Sequence, residues 1–147
     1  VRRSLLARLF VLPLLLVGCR DVRVQTVTQG TTPIAGPNVL AIVRSPHDLT
    51  SLGIRSQDLH FKHEFGVVLL MGPHRATGYR QVIESIHADS TRVRIVAFED
   101  APVDGGESRP PFRTYTLWIV PRSVYRSGTL VEVVTPDEVP IASTVLQ

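Results

Sequence analysis

The sequence predicts a mainly β domain: a compact antiparallel β-sandwich or barrel of about seven strands with one short helix. Three observations carry this. Apolar segments of strand length recur along the chain, turn-forming residues separate them, and no crossover helices alternate with them as a doubly wound α/β chain requires.

Each element follows from its residues. Arg20 to Thr28 alternates, with Val22 and Val24 on one side and Arg23 and Gln25 on the other. It reads as a first strand or as a tether. Gln29 to Pro37 contains Gly30, Pro33, Gly36 and Pro37 and reads as a loop. Asn38 to Arg44 (NVLAIVR) is a short apolar strand. Ser45 then caps a helix, with Pro46 at its first position and Asp48 in its first turn. Gly53 ends this helix after about two turns, too short to stand without a sheet beneath it.

Phe65 to Met71 (FGVVLLM) is apolar on both faces, as a central strand would be. Tyr79 to His87 and Thr91 to Glu99 alternate and are joined by the hairpin connection His87-Ala88-Asp89-Ser90. Tyr115 to Val120 sets Tyr115, Leu117 and Ile119 against Thr116, Trp118 and Val120, and Leu130 to Val134 is the last strand. Asp100 to Thr114 reads as one long loop, with Gly105-Gly106 as a flexible turn and Arg109-Pro110-Pro111-Phe112 locally extended. A loop of about 15 residues is uncommon in a compact domain, and is either functional or a plain mobile connection.

The N-terminus is organised differently. Arg2 and Arg3 precede the apolar run Leu5 to Val17, which ends in Leu16-Val17-Gly18-Cys19. That order is the basic, apolar and small-residue order of a secretory signal. The run is interrupted by Arg8 and Pro13 and is shorter than the roughly 17–25 residues of a transmembrane helix. The residue after the cleavage point is the only cysteine, and the segment resembles the lipobox of bacterial lipoproteins. The resemblance implies a signal peptide over 1–18 and a bilayer partner reached through Cys19, acylated with diacylglycerol and palmitate. It places the chain in the cell envelope, facing the periplasm or the exterior. Each buried CH2 contributes roughly 0.8 kcal/mol, so two or three chains make a stable anchor.

The charge supports this division. The chain carries 16 Lys and Arg against 13 Asp and Glu, and Arg2, Arg3 and Arg8 supply the whole excess. From Cys19 onward the chain is formally neutral, so the pI near 9.6 does not point to nucleic acid. With Cys19 acylated no thiol remains for a disulfide, a thiolate metal site or thiol catalysis. The remaining divisions are a lipidated N-terminus, tether or first strand over 19–37, a β domain over 38–135 and a tail over 136–147.

Sequence patterns for chemistry are weak. His60-Phe61-Lys62-His63-Glu64 is the only dense histidine cluster, but an extended chain points His60 and His63 to opposite faces. His63-Glu64 is not followed by the second histidine of H-E-x-x-H, and there is no G-x-S-x-G or phosphate-binding G-x-G-x-x-G. No cofactor, metal or enzymatic activity is expected. The informative stretch is Met71 to Tyr79 (MGPHRATGY). Gly78 reads as a positive-φ or close-approach position, and Tyr79 either as an interface aromatic or as core.

Gly72, Thr77, Gly78 and Tyr79, with the later Arg113–Pro121 (RTYTLWIVP), resemble the C-terminal domain of the protease complex subunit PrcB family. The resemblance spans most of Asn38 to Val134. It implies a bacterial, often lipid-anchored protein that associates with a protease complex as a non-catalytic accessory subunit. A second resemblance is to chagasin-like inhibitors of papain-type proteases, whose inhibitory loops include a T-G-Y/F end, a double glycine and R-P-W/F. Arg75–Tyr79, Gly105-Gly106 and Arg109–Phe112 follow that order. In either case the loops carrying Gly72, Thr77, Gly78, Tyr79, Arg109 and Phe112 are expected to meet at one end and form the partner surface. Phe112 is expected to be its exposed anchor.

Overall fold

Residues 25–55 and 59–147 are described by the computed structural model; the segment 1–18, Cys19 and residues 20–24 lie outside the described residues. Eight strands and one helix follow in the order β1 (Gln25–Thr32), β2 (Val39–Val43), α1 (Pro46–Ser51), β3 (Glu64–Ala76), β4 (Arg80–Ala88), β5 (Arg92–Asp100), β6 (Ser108–Pro121), β7 (Leu130–Val134) and β8 (Pro140–Val145). They form two four-stranded sheets, ordered β1-β6-β3-β2 and β4-β5-β7-β8. Neither sheet closes on itself, so the expected mainly β class holds without a barrel.

One apolar cluster joins the sheets. Phe65, Val67, Leu69 and Met71 of β3 and Trp118 and Val120 of β6 meet Val93, Ile95 and Ala97 of β5 and Val131 and Val133 of β7. The opposite face of the first sheet is also covered. There Val68, Leu70 and Leu117 pack with Val43, Leu49, Ile54 and Leu59. This double covering is why Phe65 to Met71 is apolar at every position: each residue from 65 to 71 is buried.

The helix forms as its residues dictate. Ser45 accepts from the Asp48 N–H while Asp48 accepts from the Ser45 N–H, a reciprocal capping box, with Pro46 just inside. The Arg44 backbone N–H, with help from Ser45, holds the Asp48 carboxyl below its ordinary pKa. Leu49 is the buried anchor of α1.

Four departures from the sequence reading have physical causes. β1 continues through Gly30 to Thr32, where a loop was expected. Gly30 lies opposite Tyr115, and the Tyr115 ring takes the space a side chain would fill, within 3.0 Å of a Cβ placed there. Thr32 then ties β1 to the end of the helix, its hydroxyl donating to the Leu52 carbonyl at 2.7 Å. β8 occupies the expected tail. Pro140 opens an edge strand, a position where a missing N–H is tolerated, and Ile141 and Ala142 pack on the core.

The second sheet is not wholly antiparallel. β5 and β7 pair in parallel because β6, lying in the other sheet, serves as the crossover between them. In β4 the pairing slips between Ile83 and Ser85, which turns Ile83 and then Ile86 to the core and breaks the simple alternation. The hairpin before β5 does form: the Asp89 carboxylate accepts from the Thr91 and Arg92 N–H groups at 2.7 and 2.8 Å.

Candidate functional site

The expected loop over 100–114 is confined to 101–107, which keeps the Gly105-Gly106 turn; from Ser108 on the chain is strand. β6 begins at Ser108, and its first residues pair with the end of β3, with His74 opposite Phe112 and Ala76 opposite Ser108. Pro110 and Pro111 fit there because β1 ends opposite Arg113, so this stretch of β6 has one strand neighbour and an irregular register. β3 and β6 therefore extend past the other strands of their sheet as a two-stranded arm.

The arm ends in two interlocked turns. The Thr77 N–H donates to the Glu107 carbonyl at 2.9 Å, and the Glu107 N–H donates to the Thr77 hydroxyl at 2.9 Å. Gly78 has φ +97°, and a Cβ there would lie 2.7 Å from the Pro102 Cβ. Gly106 has φ +67°, and a Cβ there would overlap the Thr77 carbonyl oxygen. Both glycines are needed on two counts, a positive φ and a neighbour closer than a Cβ permits, the Pro102 ring at Gly78 and the Thr77 backbone at Gly106. Exposed around this tip are Pro73, Arg75, Gly78 and residues 103–107, among them Val103, which is 100% exposed.

Beneath the tip the rings stack in a column. His74 lies 3.9 Å from Tyr79, nearly parallel at 15°, and 5.6 Å from Phe112 at a tilt of 56°. The Arg109 guanidinium sits 4.2 Å from the centre of the Phe112 ring, a cation–π contact.

A hydrogen-bond chain runs inward from this column between the sheets. The His74 Nε2 lies 2.9 Å from Glu99 Oε1, and both side chains are largely buried. The Thr114 hydroxyl also donates to Glu99 Oε1. Gln81 Nε2 donates to the Thr114 hydroxyl at 3.0 Å, and the Thr116 hydroxyl donates to Gln81 Oε1 at 2.6 Å. Gln29 Nε2 completes the chain, donating to the Thr116 hydroxyl at 3.0 Å. Every donor from Gln29 to Thr114 points the same way and the chain ends on a carboxylate, the arrangement in which successive bonds polarise one another. Thr114 and Thr116 are buried, so their hydroxyls fix the sheets against each other and are closed to solvent.

The structure brings the sequence-predicted residues together but sorts them into different roles. Thr77 and Gly78 build the tip. Gly72, expected in a loop, lies within β3 because the strand runs on to Ala76 in pairing with β6, and its N–H donates to the Asn38 side chain at 3.0 Å. Tyr79 and Arg109 are half-buried members of the ring column. Phe112 corrects the expectation of an exposed anchor: it is 1% exposed, because β6 turns it to the face shared with Thr114, Thr116 and Trp118. His74, Glu99, Gln81, Thr114 and Thr116 were not singled out by the sequence. A signal was present in the threonines at 114 and 116, polar residues in step with Trp118 and Val120 on what reads as an apolar face.

His60 and His63 are exposed in a turn before β3, and among the described residues no group of three or more metal-ligating side chains gathers. Gly78→Val is expected to destabilise the domain by about 1–3 kcal/mol, through its positive φ and its contact with Pro102. An unchanged denaturation midpoint would show the position to be an ordinary loop. Comparison with family models, with curated proteins and with solved structures gives no match to this chain.

Proposed function

We propose that this chain is a lipid-anchored protein of the bacterial cell envelope that acts through protein contacts. Its role is that of a non-catalytic accessory subunit, with a protease complex as the partner class. The β domain serves as a two-sheet sandwich scaffold, and the tip of the β3–β6 arm is the contact surface. One observation supports this above the others: two glycine-locked turns lie side by side and present an exposed apolar residue, Val103, on a stem held by buried side chains. Recognition surfaces tend to collect on loops carried by rigid elements.

The test is capture of the intact protein from membranes, in parallel with Val103→Glu and Cys19→Ser. Val103→Glu should lose the partner without changing thermal stability, since the wild-type side chain touches nothing that holds the fold. Cys19→Ser should lose acylation and membrane retention with the fold intact. Capture indifferent to Val103, or unmodified wild-type Cys19 in protein free of membranes, would overturn the respective part.

One observation favours inhibition as a second reading. The turn at 77–79 and Gly105-Gly106 are neighbours, as the chagasin-like resemblance requires. The buried Phe112 cannot serve as its third contact without leaving the core. A captured papain-type protease that loses activity on binding would favour this reading; one that keeps its activity would favour the accessory role.

A further inference from the structure

The two sheets meet differently at their two sides. The edge strands β2 and β8 adjoin and close one side. On the other side the edges are β1 and β4, each with a single strand neighbour among the described residues. A groove of about 360 Å³ lies there, lined by Gln29, Arg80, Gln81, Val82 and Ile83. Gln29 reaches into it from β1, its Nε2 donating to the Gln81 carbonyl at 3.3 Å. That carbonyl therefore points away from β5, and by the alternation of an antiparallel strand the N–H and carbonyl of Ile83 do too.

The side chains of this edge alternate as well. Gln81 and Ile83 face the interior, where Gln81 holds Thr114 and Thr116 and Ile83 packs on the core. Arg80 and Val82 face outward, and Val82 lies opposite Phe98, both half-buried. The exposed Glu84 is the extra residue of the bulge between Ile83 and Ser85 and ends the regular edge. Arg80 pairs with the exposed Asp100, and none of the ion pairs among the described residues includes Glu84. Charges and a bulge ordinarily discourage strand addition at an edge. Here the two charges are opposite in sign and equally spaced on either side of Val82, so the edge fits a reversed copy of itself.

We propose that β4 is a self-complementary edge at which two copies of this chain pair antiparallel about a two-fold axis through Val82. In this register Gln81 and Ile83 of each copy exchange backbone hydrogen bonds with Ile83 and Gln81 of the other. The Gln81 carbonyl has a second lone pair for this bond beside the one that Gln29 uses. Val82 meets Val82 of the second copy, which extends one apolar row from Phe98 to Phe98 across the seam. Arg80 lies between its own Asp100 and Glu84 of the second copy, and the two-fold axis repeats that contact. Registers centred on Arg80 or on Glu84 set like charges face to face, which selects the one centred on Val82. The contact is isologous and closes at two copies, and the bulge confines it to residues 80–84. It does not rest on the partner proposed above.

In this register the two Val82 residues form a non-hydrogen-bonded pair with Cα atoms about 4.5 Å apart, a separation that a disulfide spans. In the full chain carrying Cys19→Ser, kept in mild detergent, Val82→Cys supplies the only thiol. Mild oxidation should link it into a dimer, while Ser51→Cys, exposed on α1 over the first sheet, should stay monomeric. Sedimentation of the chain with Val82 intact should show a concentration-dependent dimer. Glu84→Arg, at an exposed position, should weaken that dimer roughly tenfold or more, since each of the two ion pairs becomes a repulsion. Arg80→Glu combined with Glu84→Arg restores opposite charges and should regain most of the loss. A monomer even at about 1 mM, linkage at residue 82 no faster than at residue 51, or equal dimerisation of Glu84→Arg and wild type would overturn the proposal. A double variant that fails to recover would assign the effect of Glu84→Arg to a group other than Arg80 and overturn the register.

Discussion

Phe112→Ala is expected to lower folding stability by about 3–5 kcal/mol, the cost of truncating a fully buried phenylalanine. For a domain of this size that corresponds to a fall in Tm of roughly 12–20 °C. The ring is 1% exposed, packs against His74, and carries the Arg109 guanidinium on one face. Its removal would open a cavity under the arm and leave Arg109 without its aromatic support. The measurement is a thermal or denaturant melt of the variant beside wild type. An unchanged melt together with lost partner binding would restore Phe112 as an exposed anchor and contradict the packing described above.

The second large effect is expected at Gly106. Valine there would be forced into φ near +67°, and its Cβ would collide with backbone, the Thr77 carbonyl, which cannot swing away as a side-chain end could. Strain of this kind costs on the order of 1–3 kcal/mol, and the collision adds to it unless the turns separate. Separation is the expected outcome. The Thr77 and Glu107 N–H groups, protected by their mutual bonds in the wild type, should exchange with solvent much faster in Gly106→Val. Partner capture should fall with them. Protection of both amides at wild-type levels would mean that the interlock does not depend on this glycine.

Much of the scaffold was legible in the sequence because local chemistry decides it. Ser45, Pro46 and Asp48 specify the helix start by capping alone. The run from Phe65 to Met71 names the strand covered on both faces, and the alternation of Tyr115 to Val120 separates the two faces of β6 correctly. What the sequence concealed was decided at a distance. Gly30 and Pro140 look like strand breakers until the Tyr115 ring and an edge position accommodate them. Pro110 and Pro111 look like a loop, yet they lie in β6 where it has a single strand neighbour. The parallel pairing of β5 with β7 depends on β6 joining the other sheet, which no local pattern records.

The candidate surface was legible in the same uneven way. Gly78 and the pair Gly105-Gly106 announce turns, but nothing local says that the turns interlock. Phe112 was misplaced because its neighbours are prolines and an arginine, while the alternation that buries it becomes visible only once 108–121 is taken as one continuous strand. The His74–Glu99 pair joins residues 25 apart in the chain and leaves no periodic trace.

The one-way chain from Gln29 to Glu99 bears on how this sequence avoids other folds of itself. An apolar face alone tolerates a strand displaced by two residues, since alternation is preserved and hydrophobic contacts are interchangeable. The chain removes that tolerance. Displacing β6 by two residues would carry Trp118 toward Gln81 or Phe112 toward Glu99, putting a ring where the amide or the carboxylate accepts from a threonine hydroxyl in the native register. The penalty for those lost hydrogen bonds would fall on the displaced arrangements and not on the native one. The polar seam therefore both ties the two sheets together and selects which of their possible alignments is populated. It acts as a key cut for one position, widening the gap between the native arrangement and its nearest competitors.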